Sequence, residues 1–243
     1  MKRYTLFTAI FLVGLLSFHD LAAQKVVPQT HTVIGVKGGL NLASVYGDDA
    51  SFSEDGIEFE PGFRMGFNAG AFAEIPFSPQ FGLEVGLFFT QQGAKYDESV
   101  TNTIEGQEVV FDFESNLNLN YLSVPILAEF YIPLNSTGNF QIFAGPEIFY
   151  FLSGDQDYDL VAKSNGQEVY SESEGSDIDS DDANTITVNI TGGVGFNFQA
   201  GNGVFSLDVR YLMGLMNAPD SDADGEIKNN GFQFRVGYGF FLN

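Results

Sequence analysis

Hydrophobic and polar residues alternate with a period of two in the last third of this chain, and no other feature of the sequence limits the fold as strongly. Segments 186–198, 205–213 and 232–240 place mostly Phe, Val, Ile, Leu or Tyr at every second position, with small or polar residues between them. Side chains of a strand point alternately to its two faces, so this pattern makes one face of a strand apolar. In a helix, whose period is 3.6 residues, the same apolar residues would not lie on one face. The three segments are therefore predicted to be strands.

A noisier form of the same alternation recurs in five earlier segments. They cover residues 33–43, 62–75, 81–93, 117–132 and 139–151. In the fourth of them Leu117 and Leu119 lie on the parity opposite to Leu122 and Val124, and a β-bulge would explain this change of phase. The chain thus contains eight predicted strands.

Short and long connections alternate between these strands. The short ones, near 76–80, 133–139 and 200–203, carry the Pro, Gly and Asn of tight turns. The long ones are predicted as loops over 44–61, 94–116, 152–183 and 216–230. An even strand number with this rhythm is typical of bacterial outer-membrane barrels, whose long loops face the outside of the cell. Residues 33–243 are therefore predicted to form an all-β, eight-stranded antiparallel transmembrane up-and-down β-barrel.

The N-terminus has the features of a secretory signal. Lys2 and Arg3 precede an apolar run over 6–18, and Ala22 and Ala23 offer a small-residue cleavage site. The run has 13 residues, too few for a membrane helix, which needs roughly 20. We expect a cleaved signal peptide over 1–23 and a short periplasmic leader over 24–32.

Charged residues within the strands fall on the less apolar parity, which a membrane barrel turns inward. An eight-stranded barrel is just wide enough for its own side chains to fill the interior, so these charges are expected to pair in a plugged, polar lumen. The predicted salt-bridge network consists of Lys37, Arg64, Glu74, Glu84, Glu129, Glu147, Asp208, Arg210 and Arg235.

Most other acidic residues lie in the long loops, and they give the chain a formal net charge of −22. Charge runs of this kind usually form solvated surface, and the negative sign disfavours a nucleic-acid partner. Asp220, Asp222 and Asp224 match the start of a calcium-binding loop and are a weak calcium candidate, because position 231, where the bidentate Glu belongs, is Gly231. No cofactor is expected beyond weakly held surface divalent cations.

The residue types needed for catalysis are scarce. The sequence has no cysteine, which excludes disulfides, thiol catalysis and thiolate metal sites. After removal of the signal peptide, His31 is the single histidine, and its place before the first strand predicts an exposed, inert imidazole on the periplasmic side. The chain is therefore predicted not to be an enzyme.

Four stretches carry a resemblance to a known family: "IGVKGGLNLA", "YLSVPILAEFYI", "FQIFAGPEIFY" and "FQFRVGYGFFLN". The chain resembles, from about Val33 to Asn243, the PorT-like outer-membrane β-barrels common in Bacteroidetes. The resemblance implies a small outer-membrane barrel without a ligand. It also implies a link to protein secretion, since one branch of the family is an accessory of a secretion system.

The sequence favours a non-enzymatic integral outer-membrane barrel, a scaffold with a plugged lumen and acidic extracellular loops. It would contact outer-membrane lipid, and surface polysaccharide or a secretion-machinery protein are candidate partners. A narrow passive porin-like channel and an accessory of a secretion system are alternatives. A soluble periplasmic lipocalin-like binding barrel is a further alternative, and it would place the phenylalanines inside and Lys37, Arg64, Arg210 and Arg235 outside in water.

Overall fold

A computed structural model describes residues 31–54, 57–104, 107–134, 138–178, 184–218 and 226–242. The predicted signal peptide, nearly all of the predicted leader and the calcium candidate Asp220, Asp222 and Asp224 lie outside these residues and remain predictions. Within the described ranges, no helix has the length and apolar character needed to cross a membrane.

The described residues form eleven strands. Their bounds are β1 Thr32–Tyr46, β2 Phe52–Glu54, β3 Ile57–Phe59, β4 Arg64–Pro76, β5 Phe81–Ile104, β6 Gln107–Pro133, β7 Gly138–Ser164, β8 Gln167–Ile178, β9 Ile186–Ala200, β10 Gly203–Gly214 and β11 Lys228–Leu242.

Eight of these strands close into a ring in the order β1, β4, β5, β6, β7, β9, β10, β11. Every neighbouring pair is antiparallel, and the ring closes because β11 pairs back with β1 along its whole length, from Thr32 opposite Leu242 to Tyr46 opposite Lys228. The eight-stranded antiparallel barrel predicted from the alternation is therefore confirmed. One end of the barrel carries short turns and the other carries long hairpins.

The outer surface of the ring is apolar and its interior is polar. Val209 and Phe234 are 41% and 45% exposed, whereas Arg210 and Arg235 are 0% and 2% exposed. Aligned apolar residues form a continuous row across seven neighbouring strands: Phe67, Leu40, Phe234, Val209, Val194, Ile142 and Phe130. Soluble proteins rarely expose apolar patches of that extent. This arrangement is the reverse of a lipocalin-like barrel and excludes that alternative.

Three strands run well past the ring at the long-hairpin end. β5, β6 and β7 have 24, 27 and 27 residues, and β8 pairs with the far half of β7. We call residues 97–104, 107–116, 154–164 and 167–178 the hairpin sheet. The segments 94–116 and 152–183, expected from their acidity to be loops, are thus largely strand.

The two-residue turn at Asn165 and Gly166 explains part of this difference. Both residues have positive φ, 51° and 75°, which is the backbone of the tight type I′ turn that joins two β-strands. An Asn-Gly pair between alternating residues is a strong hairpin signal. The many carboxylates on either side of this Asn-Gly pair favour a solvated loop instead, and for that reason the sequence did not predict the hairpin.

The change of phase near Leu119 has a different origin from the predicted bulge in that strand. β6 keeps a single inward parity through Leu119, Tyr121 and Tyr131, all buried. The irregularity lies in its neighbour, where Asn120 pairs with Ser153 but Tyr121 pairs with Phe151. Leu152 of β7 is thus the extra residue, and Leu119 is apolar because it belongs to an apolar layer inside the barrel.

Candidate functional site

A layer of charged side chains lies in the centre of the lumen. The Lys37 Nζ is 2.6 Å from Glu84, 3.2 Å from Glu74 and 3.5 Å from Asp208. Arg210 donates to both carboxylate oxygens of Glu84, at 2.8 and 3.0 Å, and to both of Asp208, at 2.6 and 3.0 Å. All five residues are at most 4% exposed. Two cations therefore share three carboxylates in a compact, water-excluded group.

Direct contacts join strands on opposite sides of the ring. β5 and β10 are four places apart in the closed order of eight strands, so the pair of Glu84 and Arg210 spans the full width of the lumen. Asn197 of β9 donates to Glu74 of β4 at 3.4 Å, which also joins opposite strands. A third bridge, nearer the long hairpins, runs from Asn229 of β11 to the Tyr121 hydroxyl of β6 at 3.3 Å. The lumen is thus crossed by side chains at three positions.

Aromatic rings complete the surroundings of the buried cations. The Lys37 Nζ lies 4.2 Å from the centroid of the Phe72 ring, and the Arg210 guanidinium lies 4.6 Å from that of Phe143. A cation over a ring face is attracted by the ring quadrupole, and the attraction is larger when water is excluded. The phenylalanines therefore fill space and hold the charged groups in position.

Arg235 forms a second, looser polar group beside this layer. Its Nη2 donates to Gln233 at 2.5 Å and lies 3.8 Å from Glu147, whose other oxygen accepts from the Thr191 hydroxyl at 2.7 Å. The guanidinium also stacks 4.3 Å from the Phe88 ring centroid. Within the part of the chain that the structure describes, its Nε and Nη1 have no acceptor.

Three lumen carboxylates come close enough to be considered as metal ligands. Glu74, Glu84 and Glu129 each offer an oxygen within 4.8 Å of the others. The Lys37 Nζ contacts two of the three, so an ammonium group already takes the place that a metal cation would need. Glu129 instead accepts a 2.5 Å hydrogen bond from the Tyr131 hydroxyl.

Two apolar clusters accompany the charged side chains. The smaller one, Val33, Phe72, Phe88 and Val204, packs among them, because Glu74 and Glu84 lie nearer the short turns than Phe72 and Phe88 do on the same strands. The larger one lies toward the long hairpins and consists of Leu119, Tyr121, Phe149, Phe151, Leu212 and Ala218. A hydrated ion moving along the barrel would have to pass the larger apolar cluster as well as the ion pairs, and each step removes its water.

Of the nine residues predicted to form the salt-bridge network, Glu129 is in the lumen but has no ion pair among the described residues, and Arg64 lies apart. It is the first residue of β4, at the long-hairpin end, half-buried, and its Nη1 is 3.5 Å from the Gln92 carbonyl oxygen. Sequence reasoning also missed the uncharged bridging residues Asn197, Asn229 and Tyr121. Their inward parity is a signal in the sequence, because it places these uncharged polar side chains in the same lumen as the charged ones.

Charged pairs on the hairpin sheet, and one that joins it to the neighbouring Lys95, are exposed. Lys95 lies 3.0 Å from both Asp97 and Glu114, and Lys163 lies 2.6 Å from Asp112. The hydrogen bond from Lys163 lowers the pKa of Asp112 most, and the hydrogen bond from Ser99 lowers it further. These pairs lie on the side of the sheet that continues the outer surface of the barrel.

Comparison with known proteins agrees with this architecture. Residues 22–219 match the model of the outer membrane protein beta-barrel domain family, and the chain belongs to that family. With the apolar outer belt and the closed ring, this makes the protein an integral β-barrel of the outer membrane, in contact with lipid on its outer surface. No curated protein matches the sequence.

Solved structures of outer-membrane proteins are similar in fold at low sequence identity. Ail, the attachment invasion locus protein of Yersinia pestis, is 18% identical over 87% of this chain and 100% of its own, with a TM-score of 0.34. OprG from Pseudomonas aeruginosa is 15% identical over 88% and 96%, with a TM-score of 0.39. Neisserial surface protein A is 11% identical over 86% and 97%, with a TM-score of 0.35.

Proposed function

We propose that this protein is a non-conducting, non-enzymatic anchor in the outer membrane that presents the hairpin sheet outside the cell. The observation that carries the proposal is the bridging of opposite strands by Glu84 and Arg210 inside a lumen that also holds an apolar cluster toward the long hairpins. A barrel filled in this way supplies a fixed base for the long hairpins. Neither a cofactor nor a reaction belongs to this role.

The orientation follows from the lengths of the connections. Outer-membrane barrels keep short turns in the periplasm and long loops outside. On this basis the short turns, such as Gly201 and Asn202, face the periplasm and β8 faces the medium. The resemblance to PorT-like barrels adds a secretion-machinery protein to the candidate partners of that surface, beside surface polysaccharide.

A narrow porin-like channel is the second candidate, and one observation favours it. Among the described residues, two guanidinium nitrogens of Arg235 have no acceptor, and one amide nitrogen each of Gln141 and Gln233 has none either. Buried polar groups of this kind are usually satisfied by water. A chain of such waters past the ion pairs would make the lumen conductive.

Recordings in planar lipid bilayers separate the two candidates. The wild-type protein is expected to give no steady openings, while heat-modifiable migration of the same sample on a gel shows that folded barrel is present. Replacement of Tyr121 and Phe149 by alanine, which thins the larger apolar layer, serves as the comparison variant. Steady single-channel openings of the folded wild-type protein would contradict a closed anchor.

The orientation is tested by labelling intact cells. Because the chain has no cysteine, single cysteines can be placed at exposed Ser171 on β8 and at exposed Asn202 in a short turn. A maleimide that cannot cross membranes is expected to label Ser171→Cys in whole cells and Asn202→Cys after lysis alone. The opposite result would place the hairpin sheet in the periplasm.

A further inference from the structure

The hairpin sheet has two chemically different faces. In the register of the strands, Glu98 lies opposite Phe113, Val100 opposite Phe111, and Phe113 opposite Leu160. These residues share the face that continues the lumen side of the barrel, which we call the inner face. The bulge at Leu152 keeps the far half of β7 in phase with this face, and so places Leu160 beside Phe113.

An apolar groove lies between the inner face and β3. It has a volume of about 330 Å³, and Val100, Phe111, Phe113 and Leu160 from the sheet line it together with Phe59 from β3. The Phe59 and Phe113 rings meet edge to face, with centroids 5.0 Å apart. The groove thus has the size and surface to take one large apolar side chain.

Carboxylates surround this groove on the inner face. Glu98 lines the groove itself. Glu172 lies opposite Leu160 in β8, and Glu174 lies opposite Tyr158, so both face the same side. Among the described residues of the hairpin sheet, the cation Lys163 lies on the outer face, where it pairs with Asp112. The inner face therefore combines an apolar floor with uncompensated negative charge.

We propose that the inner face binds a basic segment of a partner polypeptide, which inserts one aromatic or aliphatic side chain into the groove. Lysine or arginine residues on either side of that side chain would meet Glu98, Glu172 and Glu174. Peptide recognition commonly combines an apolar anchor with complementary charges that select the partner. The inference deepens the proposed function and rests on its placement of the hairpin sheet outside the cell.

A tryptophan-containing peptide gives a direct test, because the chain has no tryptophan of its own. The full chain is reconstituted in lipid nanodiscs and titrated with a short peptide in which lysines flank a single tryptophan. The proposal expects a blue shift of the peptide fluorescence that saturates and weakens with added salt. A matched peptide with glutamates in place of the lysines, and empty nanodiscs, are expected to give no saturable shift.

Two lysine substitutions at neighbouring positions provide matched variants. Val100→Lys adds a charge to the groove, whereas Thr101→Lys adds the same charge to the opposite face of the same strand. Val100→Lys is expected to weaken peptide binding roughly tenfold or more, and Thr101→Lys to change it less than about twofold. Glu98→Gln is expected to weaken binding by roughly two- to fivefold, the range of an exposed ion pair.

Several results would overturn the proposal. Equal binding of the lysine and glutamate peptides would show that charge does not contribute to recognition. Equal effects of Val100→Lys and Thr101→Lys would show that the groove is not the binding site. A change in the oligomeric state of Val100→Lys, with unchanged peptide affinity, would make the groove a contact between copies. Failure of peptide binding leaves the bilayer recordings unaffected, so a closed anchor and this site are judged separately.

Discussion

The lumen and the hairpin sheet both pair a basic side chain with carboxylates, but they do so in opposite surroundings. The Lys37 and Glu84 side chains are 0% and 1% exposed, whereas those of Lys163 and Asp112 are 45% and 39% exposed. Both pairs have the same Nζ to oxygen distance, 2.6 Å. Geometry alone therefore does not show what a pair contributes; the surroundings decide it, because loss of one partner leaves a buried charge in one case and a solvated charge in the other.

Removal of one cation from each region gives the largest expected difference. Among the described residues, Arg210→Met leaves Lys37 as the sole cation in contact with Glu84 and Asp208. It should lower the free energy of unfolding by about 3–5 kcal/mol. Lys163→Met on the hairpin sheet should change it by about 0–1 kcal/mol. Urea unfolding of the reconstituted proteins, followed by heat-modifiable migration, measures both.

If Arg210→Met fails to fold, Arg210→Lys keeps the charge but loses the double hydrogen bonds to both carboxylates. It should show an intermediate loss of stability. Similar losses for Arg210→Met and Lys163→Met would mean that the lumen pairs are as well solvated as the exposed ones, and would favour the porin-like alternative.

The outward-facing surfaces of the two regions are also expected to respond differently to a new charge. Val209 lies in the apolar belt of the barrel, and Val161 lies on the outer face of the hairpin sheet, opposite Asp112. Val209→Lys should destabilise the protein by about 2–4 kcal/mol if it faces hydrocarbon near the midplane. Val161→Lys should stay within about 0.5 kcal/mol of the wild type.

The same unfolding assay measures this second pair of variants. Equal effects at the two positions would show that the boundary of the bilayer lies beyond Val161, so that part of the hairpin sheet is in contact with lipid. That result would also weaken the inference about the inner face, because a groove at that depth would be less accessible to a basic peptide.

The two regions differ as well in how far the sequence predicts them. The strands of the ring were predictable because one face must be apolar for lipid and the other polar, so that Val209 and Arg210 alternate visibly. In the hairpin sheet, Asp155, Asp157 and Asp159 repeat with the same period of two, but the opposite face mixes apolar residues such as Phe113 and Leu160 with carboxylates such as Glu98. Alternation in which both faces carry carboxylates resembles a solvated loop, and pairing with neighbouring strands adds to the stability of the structure.

The sequence predicts which charged residues lie inside the lumen, but not which of them contact each other. The inward parity of Arg210 and Glu84 indicates that both lie inside, whereas their contact depends on the stagger of strands on opposite sides of the ring. That stagger is a property of the closed barrel and is absent from any local segment. Arg64 illustrates the limit, because its parity matches the network while its position at the end of β4 removes it from the central layer.

The smallest expected effect is a shift in the pKa of Asp112, which tests the exposed ion pair of Lys163 and Asp112. The Asp112 pKa is lowered, first by the hydrogen bond from Lys163 and then by that from Ser99. A lowered pKa means that the contribution of this pair to stability is complete above the ordinary pKa of aspartate, near 3.9, and is lost as the pH falls through the lowered value.

The carboxyl carbon of Asp112, followed by NMR, should therefore titrate below the ordinary range in the wild type. Lys163→Met should move the pKa up toward the ordinary value, and Ser99→Ala should move it less, since its hydrogen bond is the second cause. Over the same range the unfolding free energy should fall slightly, because a pKa that is lower in the folded state links protonation to stability, and the step should be smaller in Lys163→Met. A wild-type titration at the ordinary value, or one that Lys163→Met leaves unchanged, would show that solvent already screens this pair fully.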